Sequence, residues 1–486
     1  MTAGLETSGT LVRSAGLPVL LAAAALFAAG QVSIDAVNGW WNDELFALWS
    51  SDTSQPFWSA FTERIGPDSN PPLYFSLLYG ARLLFDDDRL AILALNVCFI
   101  LAASAAVLLS SRRTSMAGAA VAAVAAFVVS GPVLAYAAEG RSYLAALAVA
   151  FCASWYAALA VCGPERRHSV WPFAVLGALG ALTHVFAALF CGSLAAGLLA
   201  LAVVDASRRD LVAPGLTLGL SASLVFAVWL LLAWSSLGNI GWIEFTLQAV
   251  REAVWYVRRL AVGGVLAVLL LAALLAFGFV RRATRPVVIV FGVAFALFAL
   301  LPLIASLKQP LVMGRYWMIG APGLIVLVVA LAATWYREGW GPHGLRASRY
   351  ALAGAVVLAV ASSVTGFLTA REFTAAKPVW KGATVVGPLL QGCPAGSVHV
   401  GKARITTPAP TSPANFAYMT GTSPELFVDV GSPATPVLQA SQARCPVLAW
   451  GEHVLLGHDF ATRYSDADVL QLMKIEASPE DVEVRR

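Results

Sequence analysis

The sequence predicts an all-α polytopic membrane domain of about eleven transmembrane helices, followed by a small extracytoplasmic α/β domain. Three observations carry this reading. Hydrophobic residues make up 59% of the 486-residue chain and charged residues only 12%, about half the usual share for a soluble domain. The apolar residues fall in long charge-free blocks rather than short alternating runs, a pattern that requires lipid as the solvent. The arginines gather in every second connection between those blocks.

The apolar blocks run over 17–37, 90–110, 116–136, 142–162, 171–204, 212–236, 260–280, 286–306, 317–335 and 350–370. Leu17 to Ala29 reads as the first membrane helix rather than a cleaved signal peptide, because no small-residue cleavage site follows it. The block 171–204 is too long for one crossing, since it would span roughly 50 Å against about 30 Å of hydrocarbon. It is therefore expected to be a hairpin of two helices.

Arg112–Arg113, Arg166–Arg167, Arg208–Arg209, Arg281–Arg282–Arg285 and Arg337–Arg346–Arg349 then all fall on one side, which the positive-inside rule makes cytoplasmic. With the 171–204 block counted as one helix they do not. The N-terminus is accordingly expected in the cytoplasm and the C-terminal region outside. The abundant Ala, Gly and Arg suggest a bacterial source, hence the cytoplasmic membrane.

Two domains follow: a membrane domain over 1–370, with a long outer loop at 38–89, and a soluble outer domain over 371–486. The latter has Pro/Gly-rich turns and strand-like runs at Ser397–Ile405 and Val447–Leu456. Of six cysteines, Cys98, Cys152, Cys162 and Cys191 lie in apolar blocks, where cysteine acts as a small hydrophobe. Cys393 and Cys445 lie in the polar region, and a disulfide between them would require an oxidising compartment. The net charge of +4 is small, and no nucleic-acid partner is expected.

Several residues on the expected outer face could carry chemistry. Asp43 and Glu44 follow the first helix, and acids at that depth are costly unless used or paired. Neighbours on a helix point about 100° apart, so one can act as base while the other binds or orients. An aspartate at a helix start also serves simply as a cap. Asn70-Pro71-Pro72-Leu73-Tyr74 marks an extended approach and a helix entry, with an amphipathic stretch from Leu73 to Phe85. Glu139 and Arg141 interrupt two apolar blocks, either as a polar turn or as a site.

His184 is the only ionisable group in the 171–204 block. It is either a satisfied structural group or a proton carrier or ligand near neutral pH. Arg251, Arg258, Arg259, Lys308 and Arg315 lie outside, against the positive-inside trend. An arginine fork matches a phosphate, whereas snorkelling to headgroups explains any one of them equally well.

Taken together, these segments resemble the membrane glycosyltransferases of the C-type fold, especially the branch of the protein O-mannosyltransferases (glycosyltransferase family 39) and the aminoarabinose transferase of lipid A. The resemblance rests on Asp43-Glu44, Asn70-Pro71-Pro72-Leu73-Tyr74, Glu139-Gly140-Arg141-Ser142-Tyr143, Thr183-His184-Val185-Phe186 and Arg315-Tyr316, in that order over roughly the first 335 residues.

The resemblance implies an inverting transfer of a sugar from a polyprenyl-phosphate donor to a glycan, lipid or protein acceptor. Asp43 would be the general base, with Glu44 beside it. Arg315, helped by Lys308 or Arg258 and Arg259, would stabilise the departing phosphate. Asn70, Tyr74, Glu139, Arg141, Tyr143, His184 and Tyr316 would line the pocket. A divalent metal, magnesium or manganese, is an open option, with Asp43, Glu44, Glu139 and His184 as the candidate ligands. The C-terminal domain carries no motif of the family. A lipid or solute transporter and a lipid-linked glycan polymerase or ligase are the competing readings. Against a transporter stand the lack of an internal repeat and the edge position of the acids.

Overall fold

The computed structural model describes residues 42–68, 70–163, 169–233, 245–339, 346–375, 393–396, 398–402, 424–429, 447–450, 472–474 and 484–485. The chain divides into two compact units: Met1–Asp35 with Thr53–Phe373, and Ala36–Asp52 with Thr374–Arg486. The expected helix over 17–37 and the Arg166–Arg167 loop lie outside the described residues.

The larger unit is helical. Its main helices are α2 (Leu73–Leu84), α3 (Asp88–Ser111), α4 (Ala117–Val128), α5 (Tyr143–Cys162), α6 (Trp171–Thr183) and α7 (Val185–Val204). They continue as α8 (Val212–Leu232), α9 (Leu247–Val257), α10 (Val265–Val280), α11 (Arg285–Ala305), α12 (Ala321–Gly339) and α13 (Arg346–Ala375). A shorter helix, α1 (Asn42–Ser50), belongs to the smaller unit. Among the described residues, seven helices are long and apolar enough to cross a membrane, or eight with one bent pair counted as a single span. Shorter apolar helices at Leu73–Leu84, Ala117–Val128 and Trp171–Thr183 add to these.

Helix α5 is the centre of the unit: only Tyr156, Leu159 and Cys162 of its 20 residues escape full burial. Its alanine-rich surface lets α3, α6, α7 and α12 approach closely, as small residues do between membrane helices. Phe127 of α4 stacks on Phe151 with ring centroids 4.2 Å apart, and the Trp155 indole N–H donates to Ser111 Oγ at 2.8 Å. Asp87 caps α3 by accepting from the Leu90 N–H, and Arg82 of α2 pairs with Asp88 at 2.6 Å.

The 171–204 block is two helices, as its length requires. The break is a single residue, His184, in extended conformation between α6 and α7. Cys191 Sγ donates to the Leu176 carbonyl, so positions about equally far on either side of His184 lie side by side in a hairpin. The block 116–136 differs from the expectation of one continuous crossing. It ends at Val128 and restarts as a short helix, Gly131–Tyr136, after Ser130. Pro132 has no N–H to continue the ladder, and at the second helical position that loss costs nothing. The block 260–280 also starts late: residues 258–262 form a π-helical turn, Gly263 sits at φ +99°, and α9 and α10 meet there at 77°.

Helix α7 tests close packing with its own control. A Cβ at Gly197 would lie 2.2 Å from the Val290 carbonyl oxygen of α11, a backbone atom that cannot rotate aside. A Cβ at Gly192 would meet nothing within 4 Å. Gly197→Ala is expected to destabilise by about 1–3 kcal/mol, seen as a lower unfolding midpoint in detergent, while Gly192→Ala leaves the midpoint unchanged or raises it. Equal midpoints for the two variants would show that the α7–α11 contact is looser than described.

In the smaller unit, β1 (Val398–Lys402), β2 (Phe427–Asp429), β3 (Val447–Trp450), β4 (Leu472–Lys474) and β5 (Val484–Arg485) form one sheet in the order β2-β1-β3-β4-β5. The β1–β2, β1–β3 and β3–β4 pairs are parallel and β4–β5 is antiparallel. Parallel neighbours cannot be joined by a tight hairpin, and the connections between these strands lie largely outside the described residues. Cys393 is disulfide-bonded, whereas Cys98, Cys152, Cys162 and Cys191 are free thiols. Cys445 lies outside the described residues.

Candidate active site

The site is built on helix ends in the larger unit. Asn70 donates both its backbone N–H and its side-chain amide to Asp68 Oδ1, at 2.7 and 3.0 Å, closing a turn before Pro71-Pro72. Asp68 is buried there. Helix α2 then starts at Leu73 and carries Tyr74 fully into the interior. The Tyr74 hydroxyl lies 3.5 Å from Asn96 Oδ1 and 3.4 Å from the Glu139 carbonyl. Asn96, buried within α3, donates from Nδ2 to the carbonyls of Ala137 (2.8 Å) and Glu139 (3.1 Å). One amide from an apolar helix thus fixes the turn that carries Glu139 and Arg141.

That turn joins the short helix Gly131–Tyr136 to α5. Glu139 is 3% exposed. The Arg141 guanidinium lies over the Phe75 ring at 5.8 Å. Tyr143, at the start of α5, faces His184 with ring centroids 5.4 Å apart. Tyr316 closes the group, 5.5 Å from His184 and 4.8 Å from Phe186. It belongs to a short helix, Gly314–Trp317, that also carries Arg315, whose guanidinium lies 5.6 Å from the Tyr316 ring. Glu139, Arg141, Tyr143, His184, Arg315 and Tyr316, far apart in sequence, therefore form one neighbourhood, with Tyr74 beneath the turn.

His184 lies in the non-helical junction, outside both helices. Its Nδ1 accepts the Phe186 N–H at 3.1 Å and so caps α7. With Nδ1 engaged as acceptor, the neutral ring presents Nε2–H as a donor. Burial, then the charges of Arg141 and Arg315, push its pKa down to about 3. The imidazole is neutral at physiological pH.

Between its ordinary value of 6.5 and about 3, the unfolded chain binds a proton that the folded chain refuses. Stability is expected to fall as pH drops through that window, and His184→Gln should flatten the fall. Unfolding midpoints from pH 7 to pH 4 check this, and parallel curves for the two proteins would contradict it.

The other expected residues are placed differently. Arg258 and Arg259 sit on the π-helical turn after α9. Arg259 is engaged with Glu372 at 3.1 Å and lies over Trp255 at 5.0 Å. Arg258 Nε is buried with no hydrogen-bond partner among the described residues. Lys308 is exposed in the turn after α11. Asp43 and Glu44 lie in α1, in the smaller unit, where Glu44 is 6% exposed.

Among the described residues, no three His, Cys, Asp or Glu side chains are placed to hold a metal ion. His184, with one nitrogen engaged and two guanidinium charges acting on it, is a poor cation ligand.

Sequence reasoning passed over Asn96, Tyr136 and Tyr256. Asn96 had a signal, an amide inside an apolar block. The Tyr136 and Tyr256 hydroxyls meet at 2.6 Å across 120 residues of sequence and had none.

No family model matches the chain. No curated protein matches it either. Among solved structures it is similar to ArnT from Cupriavidus metallidurans bound to undecaprenyl phosphate, at 13% identity and a TM-score of 0.53, covering 86% of each chain. It is also similar to the archaeal oligosaccharyltransferase AglB from Archaeoglobus fulgidus, in complex with an inhibitory peptide and a dolichol-phosphate. That likeness has a TM-score of 0.50 and 13% identity, covering 87% of this chain and 65% of AglB.

Proposed function

Since the chain has the C-type membrane glycosyltransferase fold, we propose that it transfers a sugar from a polyprenyl phosphate to an acceptor on the outer face of the bacterial cytoplasmic membrane. The observation that carries this is the neighbourhood of buried Glu139 and buried, neutral His184 with half-buried Arg141 and Arg315, at the ends of membrane helices. Buried charge of this kind within a membrane domain points to a polar ligand. Two guanidinium groups suit a phosphate delivered at that depth. Undecaprenyl phosphate in ArnT and dolichol-phosphate in AglB support a lipid phosphate as the ligand class.

In this reading Asp43 has its part from the resemblance of its sequence motif alone, and the other groups have theirs from the neighbourhood described above. Asp43 takes the proton from an acceptor hydroxyl or amine. The acceptor atom bonds to the anomeric carbon from the face opposite the phosphate. The bond from that carbon to the phosphate oxygen breaks, its electron pair leaves with polyprenyl phosphate, and the anomeric centre is inverted. The leaving group needs no strong acid, but its charge needs stabilising, which Arg315 supplies with Arg258 as a helper. Arg259, engaged with Glu372, and exposed Lys308 act at longer range. Neutral His184 donates from Nε2, and Glu139, Arg141, Tyr143 and Tyr316 shape the pocket. Asn70 and Tyr74 hold its floor.

Purified protein in liposomes, given a panel of radiolabelled polyprenyl-phosphate sugars and membrane extract as acceptor, tests the reading. Label should move to the acceptor with inverted configuration. Flux of a labelled lipid or solute, with neither transfer nor donor hydrolysis from any donor, would replace the enzyme with a transporter.

A further inference from the structure

Helix α9 is weakly anchored. Only Ala253 of its 11 residues is fully buried, while Leu247, Val254 and Trp255 are exposed. It does not continue straight into α10, because the chain turns by 77° after the π-helical segment. Two of the contacts that Tyr256 makes tie it to its neighbours. One is the hydroxyl pair of Tyr256 and Tyr136, 2.6 Å apart. The other is the Tyr256 ring against Gly314, where a Cβ would lie 2.8 Å from Tyr256 Cβ and Cγ. Both contacts end at the candidate site. Gly314 precedes Arg315. The Tyr136 carbonyl accepts the Glu139 N–H at 3.2 Å, and the Tyr136 ring packs 5.0 Å from Tyr143. Arg315 and Glu139 both act electrostatically on Tyr256.

We propose that Tyr256 is a positioning residue: its hydroxyl bond to Tyr136 and its ring on Gly314 hold Arg315 in register with the Glu139 turn. The proposal rests on the transferase reading above. It assigns α9 a part in setting where the leaving phosphate's cation stands, although Tyr256 itself need not touch substrate. The hydroxyl pair joins the short helix before the Glu139 turn to α9, which packs on Gly314, so losing either hydroxyl releases the same link.

The experiment compares Tyr256→Phe, Tyr136→Phe, the double variant and Gly314→Ala, in liposomes, with binding of undecaprenyl phosphate measured separately. Tyr256→Phe keeps the ring and its packing. Each single phenylalanine variant should lower kcat roughly tenfold with donor KM changed less than about threefold, and the double variant should be no worse than either single. Gly314→Ala, which displaces the ring with the hydroxyl present, should show the same split. Variants with lowered unfolding midpoints but wild-type kcat and KM would reduce the pair to a structural contact and overturn the proposal, as would additive losses in the double variant. A wild type that binds undecaprenyl phosphate and transfers sugar, with Tyr256→Phe indistinguishable from it, sinks this proposal alone. A wild type that does neither sinks the transferase reading, and this proposal with it.

Discussion

Asp43→Asn is expected to lower the rate of sugar transfer by about 10²–10⁴-fold, the usual contribution of a positioned general base. The amide keeps the shape of the carboxylate, and Asp43 lies in the first turn of α1. It cannot accept the acceptor's proton. Donor binding should be nearly unchanged, because in the proposed reaction the carboxylate acts on the nucleophile rather than on the phosphate. The check is transfer under saturating donor, beside undecaprenyl phosphate binding and an unfolding midpoint. Glu44→Gln serves as the neighbouring control and should cost less, since only one of two adjacent carboxylates can face the same proton. Wild-type transfer by Asp43→Asn would remove Asp43 from the mechanism.

Arg315→Ala is the second large effect. If Arg315 stands at the developing phosphate charge as proposed, its removal should cost about 10²–10³-fold in kcat, by comparison with the loss of one oxyanion-stabilising donor. Arg315→Lys keeps the charge and loses the planar fork, and should fall between the two. The effect should not arise through His184. Arg315 is one of the charges that hold that histidine's pKa down, but burial is the larger cause and remains. The imidazole stays neutral near pH 7 in the variant, so the pH profile of transfer should keep its shape while its height drops. A new inflection near pH 6.5 would instead show that Arg315 acts by keeping His184 uncharged.

Much of the membrane unit was legible because lipid imposes simple length rules. The 171–204 block had to be broken, and its one histidine, His184, stands at the break. Glu139, Arg141 and Arg315 were visible as charges at the ends of apolar runs. Other features were hidden for physical reasons. The Ser130-Gly131-Pro132 interruption lies inside an apolar block whose hydropathy masks it. The bend after Arg258–Val262 depends on backbone conformation at Gly263, and glycine is common throughout this chain. Contacts such as Tyr136 to Tyr256 arise only once distant helices pack, and no local period announces them.

Asn96 also bears on how the protein is made. Its amide enters the membrane on α3, but its acceptors, the carbonyls of Ala137 and Glu139, lie 41 and 43 residues further along the chain. At ordinary rates of synthesis, about 5–20 residues per second, the ribosome needs roughly 2–8 s to supply them. For that interval α3 must keep its amide near water, in the insertion machinery, or against a temporary partner. The clamp that sets the Glu139 turn thus also sets an order of assembly: the α3 amide reaches its final partners only after the residues that follow α4 have emerged.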